Sequence, residues 1–201
     1  MLHTNGFLDA GALGALKRKG VSVGKLHPLL AANPLSVLLG VPSFGIAGDP
    51  RAMRAARAII RTLGGRPVPL GKGSGPGYHA AASLLSGGIV ALYELADRLF
   101  ERAAPSLDGR GRAMALDHLA KTSLFNVWSH GTRSALTGAL ARGAEDTVRG
   151  HLRALRGVPN ALEAYQVLGR TMLELARARG SIDAGAHRRL ARLLRASARK
   201  R

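Results

Sequence analysis

The stretch Gly71-Lys-Gly-Ser-Gly-Pro-Gly77 divides the sequence into two parts with different patterns. Before it, short strand-like runs alternate with helix-like runs, whereas no strand-like alternation follows it. A segment this rich in glycine is typical of a flexible connection, and residues 71–77 are called the hinge below. The sequence therefore predicts a partial α/β segment followed by an all-α domain, with helix as the predominant structure.

The part before the hinge contains three predicted strands and two predicted helices. Strands are expected at residues 21–26, where His27-Pro28 would end the run, at 43–48 and at 66–70. The prolines of the last run place it at a sheet edge. Helices are expected at 9–19 and at 51–63, the second with Asp49 as N-cap and Pro50 as its first residue. The strand–helix–strand order favours a parallel sheet.

Three strands make an incomplete sheet. An average sheet has roughly 5–6 strands, and a parallel sheet needs cover on both of its faces. We therefore expect the rest of this sheet to precede residue 1 or to come from another chain.

The part after the hinge reads as consecutive helices separated by glycine and proline. Ser181-Ile-Asp183 would cap the last helix, in which leucines form the buried side. The predicted helices span residues 78–103, 110–129, 132–142, 144–156, 159–179 and 181–199.

The composition of the 201 residues is that of a globular protein, with 46% hydrophobic and 21% charged residues. The absence of cysteine excludes disulfides and thiolate metal sites, and no His/Asp/Glu set has the spacing of metal ligands. The formal net charge of +18 indicates either a solvated basic surface or attraction to a polyanion. The charge is densest in a basic tail that comprises Arg188, Arg189, Arg192, Arg195, Arg199, Lys200 and Arg201.

Two stretches without charged residues, 26–48 and 73–93, are long enough to be considered as membrane spans. Three prolines interrupt the first, and the second is rich in glycine, alanine and serine. We therefore expect both to be segments of a protein that does not cross a membrane. No targeting segment is visible at the start of the sequence, which favours a cytoplasmic location.

Histidines near the ends of predicted elements are the best candidates for chemistry. His27 would lie at the carboxyl end of a strand, where open α/β sheets bind ligands, or would be a turn histidine bonded to backbone. Tyr78 and His79 open the long helix. His79, with the hydroxyl of Ser86 on the same helix face, could protonate a carbonyl or imine. The alternative for His79 is a histidine at a helix start that faces solvent.

Weaker candidates for substrate or cofactor contacts lie in the helical part, at Asn126, Thr137 and Arg142. Arg142 could hold an anion, although such an arginine is more often exposed. The glycines at 71–77 precede a helix but match neither phosphate-binding pattern, because Gly-x-x-x-x-Gly-Lys-Ser/Thr and Gly-x-Gly-x-x-Gly are both absent. A linker is the favoured interpretation of those glycines.

Several short strings of the sequence stand out together. They are His3-Thr-Asn-Gly6, Gly24-Lys-Leu-His-Pro28, Phe44-Gly-Ile-Ala-Gly-Asp49, Tyr78-His-Ala-Ala-Ala-Ser83, Ala135-Leu-Thr-Gly138, Arg142-Gly143, and Thr147-Val148 followed by His151-Leu152. In order and spacing these strings resemble one family, the Rossmann-like proteins that carry the domain of unknown function 2520, which are oxidoreductases of NAD(P)-dependent type related to 6-phosphogluconate dehydrogenase and pyrroline-5-carboxylate reductase.

The resemblance implies that residues 1–72 are the last third of a Rossmann-like domain and that residues 73–201 are a helical domain like the C-terminal domain of 6-phosphogluconate dehydrogenase. It implies NAD or NADP as cofactor and a homodimer formed through the helical domain. The phosphate-binding loop would lie in the missing first two thirds, so we expect the chain alone to bind the cofactor weakly. The sequence departs from the family at Gly87, Ala139 and Ala144, where the family has Asn, Pro and Asp.

Three functions remain open at this point. The chain could belong to an oxidoreductase that acts on a small carbonyl, imine or hydroxy acid. It could instead be a non-catalytic, dimerising remnant of such an enzyme. A third possibility is a basic helical module that binds a polyanion, although aromatic groups for stacking on single strands are nearly absent.

Overall fold

The computed structural model describes residues 1–31 and 40–196. The chain forms two compact units, Met1–Val90 and Ala91–Arg201. All strands of the described residues lie in the first unit, and no strand follows Pro69 there. The predicted order, a partial α/β segment followed by an all-α part, is confirmed. The domain boundary at residues 72 and 73 stays a prediction.

The first unit contains a mixed sheet of four strands in the order β1-β2-β3-β4. The pairs β1–β2 and β3–β4 are parallel, whereas the central pair β2–β3 is antiparallel. The prediction of a parallel sheet is therefore wrong for the central pair, because a pattern of apolar residues carries no information on strand direction. The strands are β1 (Leu2–His3), β2 (Gly24–Leu29), β3 (Ser43–Gly48) and β4 (Arg66–Pro69).

His27 and Pro28 lie inside β2 rather than at its end, which corrects the prediction. The register pairs His27 with Gly45 and Pro28 with Phe44. Pro28 is tolerated there because the two β1–β2 pairs end at Lys25, so its missing N–H leaves no bond to β1 unmade. Strand β1 was not predicted, since two residues are too few to show alternation. Strand β4 lies at the sheet edge, as its prolines predict.

One face of the sheet is covered by helix α2 (Pro50–Thr62). Apolar residues of β2 and β3 pack there against one side of the helix. Asp49 lies at the N-cap position but makes no capping bond with its own helix. Its carboxylate instead accepts from the Val23 amide and pairs with the Lys17 ammonium. The buried cluster comprises Leu26, Phe44, Ile46, Ala56 and Ile60.

The opposite face is approached by the loop after β1, by a 3₁₀ turn (Ala10–Leu13) with α1 (Gly14–Arg18), and by the start of α3 (Gly75–Ala103). Because α3 begins at Gly75, the last three residues of the predicted hinge are helical. Helix α3 is also long and apolar enough to cross a membrane, with a mean hydropathy of 1.2 over 18 residues, none of them buried. Apolar helices that pack in soluble assemblies meet the same criterion.

The second unit contains α4 (Gly109–Ala135), α5 (Glu145–Ala154), α6 (Ala161–Ala178) and α7 (Ala184–Ala196), with a 3₁₀ turn (Leu155–Gly157) after α5. Its main core joins α5, α6 and α7. A smaller cluster joins Leu155, Val158 and Ala161 to Leu95 and Leu99 of α3. The main core comprises Ala139, Leu140, Val148, Leu152, Leu173, Ala176, Ile182, Leu190 and Leu194.

Glycines mark the interruptions of this helical unit. Gly131, with φ 72° and ψ 164°, breaks α4 near the predicted position. The predicted helix 132–142 is wrong beyond Ala135, because residues 136–144 form turns in which Gly138 and Gly143 have positive φ. A left-handed backbone at two positions is incompatible with a continued helix.

The last helix agrees with the prediction. Asp183 accepts a hydrogen bond from the Ala186 amide at 2.7 Å and so caps α7. Leu190 and Leu194 are buried, Arg189 pairs with Glu145, and the side chains of Arg188, Arg192 and Arg195 are exposed. Arg199, Lys200 and Arg201 of the predicted tail lie outside the described residues.

Candidate functional site

A cluster of polar side chains lies on the sheet face opposite α2, beside the end of β1 and along β2 from Lys25 to His27. Successive strand residues point to opposite faces, so Lys25 and His27 share this face while Leu26 faces the apolar core. Tyr78 and His79 reach the cluster from the first turns of α3. The fold thus unites His27, Tyr78 and His79, three of the residues predicted from the sequence.

A hydrogen bond joins His27 to Tyr78. The distance between His27 Nδ1 and the Tyr78 hydroxyl is 2.9 Å, and the two rings meet edge to face at 88°. Gly45 lies opposite His27 in the register. A Cβ at Gly45 would be 2.7 Å from the Tyr78 hydroxyl oxygen, so the absence of a side chain there makes room for the phenol.

Lys25 is the buried cation of the cluster, with 1% of its surface exposed. Its ammonium donates to the Gly6 carbonyl at 2.6 Å and lies 5.2 Å from the centre of the Tyr78 ring. Within the described residues it forms no salt bridge. Burial lowers the pKa of Lys25, and the carboxylate of Asp9 partly offsets this effect. A lysine buried in the protein interior pays a desolvation penalty for its charge.

The loop after β1 packs closely against the imidazoles of His27 and His79. A Cβ at Gly6 would lie 2.4 Å from His79 Cδ2 and 2.7 Å from His27 Nε2. The side chain of Asn5 accepts from the amides of Phe7 and Leu8, each at 2.9 Å, and so shapes the turn.

Asp9 ties this loop to the start of α3. Its Oδ1 accepts from the Gly75 amide at 3.1 Å, and its backbone oxygen lies 3.1 Å from His3 Nε2. The other ring nitrogen of His3, Nδ1, is buried without a partner among the described residues.

The electrostatics of the cluster favour a neutral His27. Burial lowers the pKa of His27, and the neighbouring charges of Lys25 and His79 lower it further. Burial raises the pKa of Tyr78, against a smaller opposite effect of the Gly45 amide, which donates to the phenol oxygen. The Tyr78 proton is then free to point to His27 Nδ1. This assignment leaves the proton of the neutral imidazole on Nε2.

His79 is half-buried, with its ring edge-on to Phe7 at 6.5 Å and 6.3 Å from the ring of His27. Its Nδ1 lies 3.5 Å from the Ser83 hydroxyl, the outer limit of a hydrogen bond. Ser86 is exposed one turn further along α3. The described hydrogen bonds do not join Ser86 to the cluster.

Three predicted residues lie in the second unit. Asn126 is half-buried on α4, whereas Thr137 and Arg142 are exposed in the turns between α4 and α5. Their roles in substrate or cofactor contacts stay predictions from the sequence. No group of three potential metal ligands occurs in residues 1–31 and 40–196.

Sequence reasoning missed Lys25, Gly6 and Gly45 as parts of the site. The signal for Lys25 was a charged residue between Gly24 and Leu26 in a strand whose neighbouring residues are mostly apolar, where a solvated lysine would not be expected. The two glycines carried no separate signal, because their importance depends on which side chains pack against them.

A nicotinamide cofactor needs backbone amides for its pyrophosphate and a contact surface for its reacting ring. The described helix starts of the first unit already hold carboxylates, Asp49 before α2 and Asp9 on the Gly75 amide of α3. A phosphate at either place would meet a like charge. The described residues therefore do not form a pyrophosphate cradle, whereas the half-buried cluster of ring nitrogens fits the reacting end of a ligand.

Comparison with known proteins gives one family and two similar structures. The family model described as "Domain of unknown function (DUF2520)" matches residues 42–172, more than half of the chain. No curated protein matches the sequence. Protein TM1727 from Thermotoga maritima has a TM-score of 0.74 at 22% identity, over 89% of this chain and 69% of that chain.

A second structure, named "putative NADP oxidoreductase BF3122" and from Bacteroides fragilis, has a TM-score of 0.68 at 22% identity. The likeness covers 87% of this chain and 64% of that chain. The chain thus spans about two thirds of the length of either structure, and at this identity the likeness is one of fold. Since the family model matches most of the sequence, the chain belongs to the DUF2520 family and has the fold of a Rossmann-like segment followed by a helical domain.

Proposed function

We propose that the chain is part of an NADP-dependent oxidoreductase that acts on a small carbonyl, imine or hydroxy acid. The cluster of Lys25, His27, Tyr78 and His79 would then bind the polar group that reacts. The observation that carries this proposal is the hydrogen bond between His27 and Tyr78 beside a buried lysine, on the sheet face opposite α2.

The residues of this cluster would bind and polarise the substrate. A neutral His27 that accepts from Tyr78 at Nδ1 presents an N–H at Nε2, which can donate to a carbonyl oxygen or an imine nitrogen. His79 lies beside it and supplies a second ring for the same contact. A nicotinamide, when bound, would supply or accept the hydride. Ser86, Asn126, Thr137 and Arg142 remain proposed secondary contacts.

Cofactor affinity of the isolated chain should be low. A pyrophosphate normally gains several charge-assisted hydrogen bonds, each worth about 1.5–3 kcal/mol, and the described helix starts do not offer them. We therefore expect binding of NADPH at roughly millimolar concentration or weaker, which corresponds to about −4 kcal/mol.

An NMR titration tests this function on the 201-residue chain. The imidazole signals of His27 and His79 are followed as NADPH is added, and in parallel as inorganic pyrophosphate is added. We expect NADPH to shift both signals and pyrophosphate to leave them unchanged. The His27→Gln variant should lose the NADPH response at His79, whereas His118→Gln, a change on the exposed face of α4, should retain it.

Equal responses to NADPH and pyrophosphate would contradict the proposal. Such a result would favour the basic surface as a general polyanion site, since the pyrophosphate shares only the charge of the cofactor. An absence of any response at His27 and His79 up to several times the expected dissociation constant would also reject it.

We further propose that the protein is a cytoplasmic homodimer that associates through α4. One arc of this helix exposes Met114, Leu124, Phe125 and Trp128, with Phe125 and Trp128 in contact at 5.9 Å. The arc also carries the ion pair Asp117–Lys121, so its charges cancel locally.

The area of the exposed arc of α4 supports a second copy of the chain as its binding partner. An aromatic side chain buries about 150–250 Å². Because Phe125 and Trp128 are 61% and 82% exposed, the two residues of two copies would bury roughly 400–700 Å². That is about a third of a standard interface of about 1,600 Å². A two-fold pairing places the same patch on both copies, which an apolar self-complementary surface permits.

A further inference from the structure

Lys25 is the polar residue of the site that neither the sequence motifs nor the proposed chemistry explains. A lysine in the middle of a strand, fully buried, is uncommon because its charge must leave water. Its Nζ atom contacts the Gly6 carbonyl at 2.6 Å and the face of Tyr78 at 5.2 Å. It therefore touches both the loop after β1 and the phenol that bonds to His27.

Through these contacts Lys25 lies between the loop after β1 and the ring of Tyr78. Gly6, whose carbonyl accepts from Lys25, is also the residue at which the loop packs against His27 and His79, since a Cβ at Gly6 would collide with both rings. The Tyr78 ring is the group whose hydroxyl meets His27 Nδ1. One ammonium thus fixes the loop and the ring by a hydrogen bond and a cation–π contact.

The charge of Lys25 also acts on His27 directly. The two residues project from the same face of β2, two positions apart, so a second positive charge on the imidazole is unfavourable. The groups that face this pair are Tyr78 and His79 from α3, Asp9 from the loop before the 3₁₀ turn, and His3 of β1, which pairs with Lys25 in the register. The strand opposite contributes Gly45, which has no side chain.

We propose that Lys25 is the positioning residue of the His27–Tyr78 pair, and that its ammonium holds His27 in the neutral form with Nδ1 as acceptor and Nε2 as donor. This inference deepens the proposed function, because a donor at Nε2 is what a carbonyl or imine substrate would require. Lys25 itself need not touch the substrate.

The test measures the protonation of His27 and involves no cofactor. Long-range ¹H–¹⁵N spectra of the imidazole are recorded against pH for the wild type, for Lys25→Met and for Lys25→Arg. In the wild type we expect a neutral ring at pH 7 with its proton on Nε2. Lys25→Met should move the His27 titration midpoint to higher pH, and Lys25→Arg should restore it towards the wild-type value.

The control is Lys19→Met, which removes an exposed lysine of the same unit and should leave the His27 midpoint unchanged. An unchanged midpoint in Lys25→Met would overturn the proposal. If Lys25→Met does not fold, the wild-type spectrum decides, because a charged ring or a proton on Nδ1 at pH 7 also overturns it. A failed NADPH titration with a normal His27 result would reject the proposed function and leave the role of Lys25 intact.

Discussion

At the scale of single residues, Lys25 stabilises a geometry while it costs folding free energy. A buried amine prefers its neutral form, and burial lowers the pKa of Lys25 from 10.5. The unfolded chain takes up the proton at a higher pH than the folded chain does. The penalty is therefore fully present well below the folded-state pKa and is relieved as the pH rises towards 10.5.

The pH dependence of this desolvation penalty gives a prediction for Lys25→Met. The variant removes the buried charge, and replacing buried charges by apolar groups can be neutral or stabilising, by up to about 4 kcal/mol. The unfolding free energy of the wild type relative to Lys25→Met should rise between pH 7 and pH 10, because only the wild type gains from deprotonation. Urea denaturation of both proteins across this range measures the difference. A constant difference would show that Lys25 is solvated.

His27 has a dependence of the same sign, in the acidic range. Burial and the charge of Lys25 lower its pKa from 6.5, so the fold loses stability as the pH falls through that value. We expect the wild type to lose more stability than His27→Gln between pH 7.5 and pH 5.5. Equal losses in thermal unfolding experiments would argue that His27 is free to take up a proton.

Gly45 tests the packing of the same pair. In Gly45→Ala the new methyl group would lie 2.7 Å from the Tyr78 hydroxyl oxygen and 2.8 Å from Tyr78 Cζ. Overpacking of this kind costs about 1–3 kcal/mol, and here it should also lengthen the bond to His27. Gly71→Ala is the matched control, since a Cβ there meets nothing within 4 Å. Chemical denaturation and the His27 spectrum report the two effects separately.

Part of the site could be predicted from the sequence. His27, Tyr78 and His79 were identified because a histidine near a strand end or a helix start is a recognisable signal. Lys25 and the two glycines were not, because their roles depend on contacts between segments far apart in sequence, such as Gly6 with His79. Residue type and local spacing contain no information on such contacts.

At the scale of elements, the second unit depends on the packing of α7 against α6. Leu194 is fully buried and its methyl groups would lie 3.0 Å from a Cβ at Gly169, so the two helices approach closely at this point. Gly169 of α6 lacks a side chain that would keep them apart.

Leu194→Ala should destabilise the protein by about 2–5 kcal/mol, because it leaves a cavity in a core that cannot close fully. Arg192→Ala, on the exposed side of the same helix, should change stability by no more than about 0.5 kcal/mol. Differential scanning calorimetry distinguishes the two. Similar losses in both variants would indicate that α7 does not pack as described.

The elements also show which features follow from local sequence. Most of the helices and β3 were predicted almost to their ends, since apolar periodicity and caps such as Asp183 are local. The antiparallel pairing of β2 with β3 and the turns at residues 136–144 were not predicted. Both depend on tertiary contacts, because the local pattern of apolar residues is compatible with either strand direction and with a helix at residues 136–144.

At the scale of the whole molecule, the exposed arc of α4 is the surface through which we propose that two copies associate. Phe125 and Trp128 are 61% and 82% exposed, a large apolar area for a lone chain. The double substitution Phe125→Glu with Trp128→Glu should convert a dimer to a monomer at micromolar concentration in sedimentation equilibrium. Leu119→Glu is the control, because Leu119 is 62% exposed on a different side of the helix.

Two outcomes would contradict the dimer proposal. The wild type could sediment as a monomer, or Leu119→Glu could dissociate it as completely as the double variant. Binding of the wild type to neutral lipid vesicles, lost on changing Leu84 and Leu85 of α3, would instead favour a membrane role for that apolar helix.

The position of Trp128 has an optical consequence. It is the single tryptophan of the sequence, and its indole is almost fully in water on α4. Its fluorescence emission therefore starts at the red limit of the indole spectrum and can only move to shorter wavelengths when a surface covers it. Emission recorded along a dilution series would follow the coverage of this helix without any label, in the same cuvette in which the chemistry of the first unit is assayed.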